Sequence, residues 1–198
     1  MMSGRLFLVR HGRTALNAEG RLRGHLDPQL DEIGLREAAA VAFELSEWRI
    51  VKILSSPLLR ARQTAGAIAA VAGLSVSVED HLIDRDFGSW AGEAEAKLVA
   101  RFGSVDAAPG VEPMAAVAER SLAVLEAQLP ILDYGDLVVV AHDAVNKALL
   151  TRLDPARGSM VSQRTGCWNE IRRNRDRGIV TLVNQEPALS DTTGGADQ

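Results

Sequence analysis

The sequence predicts an α/β fold, a three-layer sandwich in which a mostly parallel central sheet is flanked by helices. Three observations lead there. Leu6-Phe7-Leu8-Val9 and Leu137-Val138-Val139-Val140 are continuous apolar runs of strand length, the pattern of strands buried on both faces. Strand-like and helix-like patterns alternate around the first of them, as in parallel sheets. Both runs also end in histidine, His11 and His142, so parallel pairing would bring two imidazoles to the carboxyl edge of the sheet, where open α/β sheets bind ligands.

Composition bounds the possibilities. At 198 residues, 46% hydrophobic and 24% charged, the chain suits one domain with a substantial core, expected over residues 1–185. A net charge of -4 offers no general attraction to nucleic acid or an anionic membrane, so an anion must be held by a local arginine cluster. Cys167 is the single cysteine, which rules out an intrachain disulfide and a cysteine-rich metal site. The start, Met1-Met2-Ser3-Gly4-Arg5, lacks the apolar region of a signal peptide, and no apolar run is long enough to span a bilayer. A cytoplasmic protein is expected.

In chain order, the strand at 6–9 delivers Arg10 and His11, and Gly12 then lets the backbone turn or approach a ligand closely. A polar loop over 12–30 follows. Leu35 to Trp48 reads as a helix with Ala38, Val41, Ala42 and Leu45 on one face, and Ile50 to Ser55 as a buried strand. Ser56 and Pro57 suit the opening of a helix running to about Ala72, with Arg60 in its first turn near the positive end of the dipole. Leu74 to Val78 alternates as a third strand. Glu93 to Phe102 forms one short helical piece and Pro113 to Leu132 a longer one. Asp136 to Ala141 is the clearest buried strand, and Asp143 is suited to cap a helix from Ala144 to Leu153. Residues 154–166 read as loop. Cys167 to Ile171 and Ile179 to Val183 then read as a hairpin turning at Asp176-Arg177-Gly178, with Trp168 as packing. From Glu186 the tail reads as disordered.

The chemistry-bearing residues gather where the strands end. An imidazole beside guanidinium groups is held unprotonated, because nearby positive charge disfavours its cation, and the same guanidiniums attract a phosphate dianion. His11 with Arg10 and Arg60 therefore suits attack on phosphorus through a covalent intermediate.

Longer segments carry a resemblance. Leu8-Val9-Arg10-His11-Gly12-x-Thr14-x-x-Asn17 with Gly24, Asp27 and Leu30 to Gly34, then Ser55 to Ala65, Leu82 to Gly92 and Asp136 to His142, are similar to the histidine phosphatase superfamily, which includes the cofactor-dependent phosphoglycerate mutases. The resemblance covers roughly residues 5 to 183. It implies His11 as nucleophile, with Arg10, Asn17, Arg60 and His142 on the phosphoryl oxygens and a short cap at about 93–112 over the site. No metal is needed where arginines and histidines supply the charge, and no cofactor is expected.

Two positions depart from the family. Its general acid is usually a glutamate three residues before the aromatic-Gly pair; here Asp84 stands there, one methylene shorter, with Asp86 as the alternative donor. The second histidine is usually followed by glycine, whereas here Asp143 follows. Asp143 either caps its helix or keeps His142 protonated, and a backbone N–H of Asp143 or Ala144 can face the phosphate. Glu112 and Arg120 match family positions that read as structural, and His25 and His81 read as surface residues.

The cap lacks what a mutase needs. Glu93 and Glu95 stand where a lysine is expected, Lys97 is displaced, and no arginine pair follows Gly103. Arg23, Arg85, Lys97 and Arg101 remain candidates for the rest of an acidic substrate. The expected function is therefore hydrolysis of a small phosphorylated metabolite through a phosphohistidine. A mutase-type phosphotransferase and a noncatalytic phospholigand-binding protein are the alternatives. Oligomeric state is open, a homodimer included.

Overall fold

The computed structural model describes residues 4–158, 163–174 and 177–188. Its elements are β1 (Arg5–Arg10), α1 (Ala15–Ala18), α2 (Glu32–Leu45), β2 (Ile50–Ser55), α3 (Leu59–Ala72), β3 (Val76–Val78), α4 (Glu95–Phe102), α5 (Met114–Gln128), β4 (Asp136–Ala141), α6 (Asp143–Leu153), α7 (Pro155–Gly158), β5 (Trp168–Asn174) and β6 (Arg177–Gln185). The strands form one six-stranded sheet in the order β3-β2-β4-β1-β5-β6. The first four are parallel and β5 and β6 are antiparallel. This is the mostly parallel α/β sheet that the sequence predicts.

The unbroken apolar runs are explained by burial on both faces. Leu6, Leu8, Leu137 and Val139 pack with Val117 and Leu125 of α5 and Val145 and Leu149 of α6. Their alternates Phe7, Val9, Val138 and Val140 pack with Val41 and Leu45 of α2 and Ala61, Ala65 and Ile68 of α3. Period-two geometry sends neighbouring residues to opposite layers, so no position in these strands tolerates water. Trp168 is packing as expected, edge-on to Phe7 with ring centroids 5.5 Å apart.

Several boundaries differ from the sequence reading for local reasons. α2 begins one turn before Leu35 because the Asp31 side chain accepts from the Gly34 N–H at 2.8 Å, an N-cap that recruits Glu32 to Gly34 into the helix. α3 is not opened by Ser56 and Pro57. Its N-cap is Leu58, without a side-chain cap, and the free Leu59 N–H is met instead by Asp27 Oδ1 at 2.6 Å from the preceding loop. Asp143 is the first residue of α6 and not its cap, a position held by His142. Residues 155–158, read as loop, form the short α7, and residues 159–162 of that loop lie outside the described residues. So do the hairpin position Asp176 and the tail beyond Ala188. Within the described part of the tail, Glu186 pairs with Arg164 at 3.0 Å.

Between β3 and α5 the chain leaves the sheet and builds a small cluster of its own. Leu22, Phe87, Leu98 and Ala108 are buried together, with Trp90, Phe102, Val105 and Val111 against them. Main-chain hydrogen bonds from Leu22 N to Glu93 O at 2.9 Å and from Gly92 N to Leu22 O at 2.7 Å stitch this segment to the loop after β1. Among the described residues no helix is long and apolar enough to cross a membrane.

Candidate active site

The parallel β1–β4 ladder ends in register, Arg10 opposite Ala141, and His11 N donates to Ala141 O at 3.1 Å. That pairing sets the rings of His11 and His142 with centroids 5.2 Å apart. Both side chains are almost wholly buried, His11 at 1% exposure and His142 at 0%. Sequence reasoning reached this juxtaposition from two strands whose residues lie 131 apart.

Each imidazole is fixed by a partner that assigns its tautomer. His11 Nδ1 lies 2.6 Å from the carbonyl of Gly12, which accepts only, so Nδ1 carries the hydrogen and Nε2 is left as a lone pair. Arg60 Nε donates to that Nε2 at 3.3 Å. Burial, then the charges of Arg60, His142, Arg10 and Arg23, hold His11 well below the ordinary histidine value. His142 Nε2 meets Ser56 Oγ at 2.7 Å, and burial with four arginine charges pushes it in the same direction. A neutral His142 accepting from the Ser56 hydroxyl carries its hydrogen on Nδ1, which is buried without a partner among the described residues.

The backbone near His11 is held by close approach. A Cβ on Gly12 would stand 2.4 Å from Gly34 O, and one on Gly34 would stand 2.0 Å from Arg13 O, so two glycines let α2 rest directly on the loop after β1. This backbone-to-backbone packing is a reason for glycine at position 12 that the sequence does not show. Gly12 N donates to Thr64 Oγ1 at 3.1 Å, and Thr64 Oγ1 donates to Arg60 O at 2.9 Å, tying α3 to the loop after β1.

Arg60 is fully buried. Its Nη1 donates to Leu26 O at 2.8 Å and its Nη2 to Gly24 O and Asp84 Oδ2, both at 2.9 Å. Asp84 is 3% exposed, with Oδ1 accepting from Arg85 N at 2.9 Å and Oδ2 lying 3.8 Å from His142 Nδ1. Its main chain is clamped by Arg120, which donates to Ile83 O at 2.7 Å and Asp84 O at 3.2 Å while pairing with Glu112 at 2.9 Å. Glu112 and Arg120 thus have the structural place expected of them. His25 is exposed, but its Nε2 reaches the same Asp84 carbonyl at 3.1 Å.

Arg10, His11, Arg60, Asp84 and His142 are therefore brought together. Arg10 donates through Nη1 to Gln163 O and lies 4.0 Å from Asp143 Oδ1. Its Nε is buried without a partner among the described residues, as is Arg23 Nε. Arg23 stands close enough for its charge to act on both histidines.

Other candidates are engaged elsewhere. Asn17 Oδ1 accepts from Thr14 N at 3.1 Å and Thr14 Oγ1 at 2.8 Å, closing a capping box on α1 that leaves only the amide nitrogen to donate. Asp143 pairs with Lys147 at 3.0 Å. Arg85, a candidate for the substrate, is engaged by the protein: it is 5% exposed, pairs with Asp106 at 2.6 Å and donates to Glu112 O at 2.6 Å. Asp86 is exposed and accepts from Gly88 N. Lys97 pairs with Glu93 on the surface, and Arg101 stacks over Trp90 and Phe102. Ser56 as partner of His142 was missed, because a Ser-Pro pair before a helix reads as local capping.

Among the described residues no three His, Cys, Asp or Glu side chains are grouped to hold a metal ion. Cys167 is buried and its thiol is pushed up to about 12, an inert side chain at neutral pH.

Comparison with known proteins agrees with the fold. A glucosyl-3-phosphoglycerate phosphatase of Mycolicibacterium vanbaalenii is 33% identical over 165 residues, covering 75% of this chain and 73% of that protein. A metal-independent phosphoserine phosphatase of Arabidopsis thaliana is 34% identical over 165 residues, covering 76% and 69%. A bifunctional protein of Mycobacterium tuberculosis is 41% identical over 98 residues, which are 49% of this chain and only 27% of that protein's length. The structure of a mycobacterial glucosyl-3-phosphoglycerate phosphatase complexed with VO3 superposes with a TM-score of 0.83 at 29% identity, covering 93% of this chain and all of that one. The model of the histidine phosphatase superfamily (branch 1) matches residues 6–186, and the chain belongs to that superfamily.

Proposed function

We propose that the protein is a phosphomonoester hydrolase that works through a phosphohistidine at His11, without a metal ion, on a small phosphorylated metabolite. One observation carries this: a lone-pair Nε2 on His11 is flanked by buried donors, Arg10 Nε and His142 Nδ1, that have no acceptor among the described residues. Buried unpaired donors are costly, and a phosphoryl group in front of His11 supplies the acceptors they need.

In this mechanism the His11 Nε2 lone pair attacks phosphorus, the P–O ester bond breaks, and the leaving oxygen takes the proton of the Asp84 carboxyl. Arg10, Arg60 and neutral His142 hold the phosphoryl oxygens, with the Asn17 amide as a further donor. The bound phosphoryl group competes with Asp84 for Arg60 Nη2, freeing the carboxyl to carry its proton. Water then gives a proton to the Asp84 carboxylate and attacks phosphorus, the N–P bond breaks, and inorganic phosphate leaves.

Hydrolysis is favoured over mutase chemistry by the state of the cap cations. Arg85 and Lys97 are paired with Asp106 and Glu93, so they do not grip a second phosphate through reorientation. The relatives named as phosphatases, 33% and 34% identical, support the same reading. The test is phosphate release from a panel of phosphomonoesters without added metal. Turnover lost in His11→Ala and an acid-labile, base-stable label on wild type from [32P]ester establish it; a panel with no turnover and no label refutes it in favour of a binding protein.

A further inference from the structure

Arg10 is gripped by a short stretch of chain some 153 positions away in sequence. Its main-chain N–H donates to Cys167 O at 2.9 Å, its Nη1 donates to Gln163 O, and Gly166 N donates to His11 O at 3.1 Å. Residues 163–167 thus bond to both Arg10 and His11. The neighbouring carboxylate does not fix the guanidinium. Asp143 Oδ1 stands 4.0 Å from Arg10 Nη1, beyond hydrogen-bond range, and Asp143 Oδ2 pairs with Lys147 at 3.0 Å.

A buried amide cluster holds this stretch in turn. Gln163, 3% exposed, forms a reciprocal pair with Asn169 of β5: Gln163 Nε2 donates to Asn169 Oδ1 at 2.9 Å, and Asn169 Nδ2 donates to Gln163 Oε1 at 2.8 Å. Asn146 Nδ2 of α6 donates to the same Oε1 at 3.2 Å, and Asn169 is anchored to β1 through Leu8 O at 2.9 Å. Asn146 and Asn169 are wholly buried, and Asn146 Oδ1 has no partner among the described residues. Apolar side chains filling the same space would serve stability as well, whereas a connected polar network fixes one arrangement. The arrangement fixed here sets Gln163 O on Arg10 Nη1 and leaves Arg10 Nε, buried and without an acceptor among the described residues, for a phosphoryl oxygen. We infer that Gln163 is a positioning residue: its side-chain amide, locked to Asn169 and Asn146, holds its carbonyl where it aims the Arg10 guanidinium at the phosphoryl group. This rests on the reading of Arg10 as a phosphoryl ligand and adds what orients it.

The test is a double-mutant cycle between Gln163 and Arg10, read as affinity for inorganic phosphate and orthovanadate by calorimetric titration, and as KM and kcat for ester hydrolysis. Gln163→Met keeps the length of the side chain and removes the amide. It is expected to weaken both anions and raise KM by about five- to twentyfold, the scale of one charge-assisted hydrogen bond, while kcat changes by less than about twofold. In an Arg10→Ala background the same substitution is expected to leave anion affinity within about twofold. An equal loss in both backgrounds, or no loss in either, overturns the assignment and leaves hydrolysis intact. So does a loss produced by Asp143→Asn and not by Gln163→Met. Should circular dichroism show Gln163→Met unfolded, Asn146→Leu carries the cycle, because it removes one donor to Gln163 together with the unpartnered oxygen. Its loss of anion affinity, about two- to fivefold, is expected to vanish in Arg10→Ala, and a loss that persists there overturns the assignment. Anion binding that depends on Gln163 only through Arg10, with no ester hydrolysis by wild type, overturns the hydrolase reading and upholds the positioning role.

Discussion

The carboxyl edge of the sheet and the segment between β3 and α5 are each held together by different forces. At the edge, polar side chains are fixed by partners distant in sequence: Arg60 to His11, His142 to Ser56 and Arg60 to Asp84. In the segment, cohesion comes from a small apolar cluster around Leu98 and from main-chain bonds to residues 20–22. The edge is fixed by side-chain hydrogen bonds, and the neighbouring segment by apolar packing and main-chain hydrogen bonds. Damage to the first should therefore appear in the chemical step, and damage to the second in substrate retention.

The comparison is sharpest at the nucleophile. His11→Ala should lower kcat by roughly a thousandfold or more while the protein keeps its circular dichroism spectrum, as read by stopped assays of phosphate release. Asp84→Asn should cost about a hundred- to ten-thousandfold with esters of poorly acidic alcohols. The loss should shrink with p-nitrophenyl phosphate, whose leaving group needs no proton; an equal loss on both esters would remove Asp84 from the acid role.

Arg120→Ala acts on the join between the two regions. Removing the clamp on the Ile83 and Asp84 carbonyls should destabilise the fold by about 2 kcal/mol in urea titration and lower kcat more than it raises KM. Leu98→Ala, in the neighbouring segment, should cost about 2–3 kcal/mol and do the reverse. If Leu98→Ala instead left KM alone and lowered kcat, the division of labour would be wrong.

The smallest expected effect is on pH dependence. Both histidines are held below the ordinary value of 6.5 in the folded protein, so between that value and their lower folded values the unfolded chain binds more protons. Stability should be fully present above about pH 6.5 and fall as the pH drops below it. Urea midpoints at pH 7.5 and 5.5 check the sign, and His142→Gln should flatten the slope.

Much of the sheet edge was legible in the sequence because its signals are local. An apolar run ending in Arg10-His11 and another ending in His142 announce two buried strands, and Ala38, Val41, Ala42 and Leu45 announce the buried face of α2. What stayed hidden depends on partners brought from afar. Ser56 read as a helix opener because nothing nearby in sequence shows that His142 reaches it across 86 positions. Arg85 read as a substrate residue because Asp106, which neutralises it, lies in an irregular stretch without periodicity. Asp143 read as a cap because His142, already in cap geometry with extended dihedrals, has a side chain that gives no capping signal.

The pairing of β1 with β4 has a consequence for how the protein acquires activity. Leu6 lies opposite Leu137, so the two histidines meet only when a loop of about that span closes, a slow and entropically costly contact of high sequence separation. No amino-terminal fragment ending before β4 holds both imidazoles, so a nascent chain is expected to be inert until its last parallel strand docks. Recovery of turnover during refolding should therefore report a long-range docking event, and lag behind the far-ultraviolet signal of the helices.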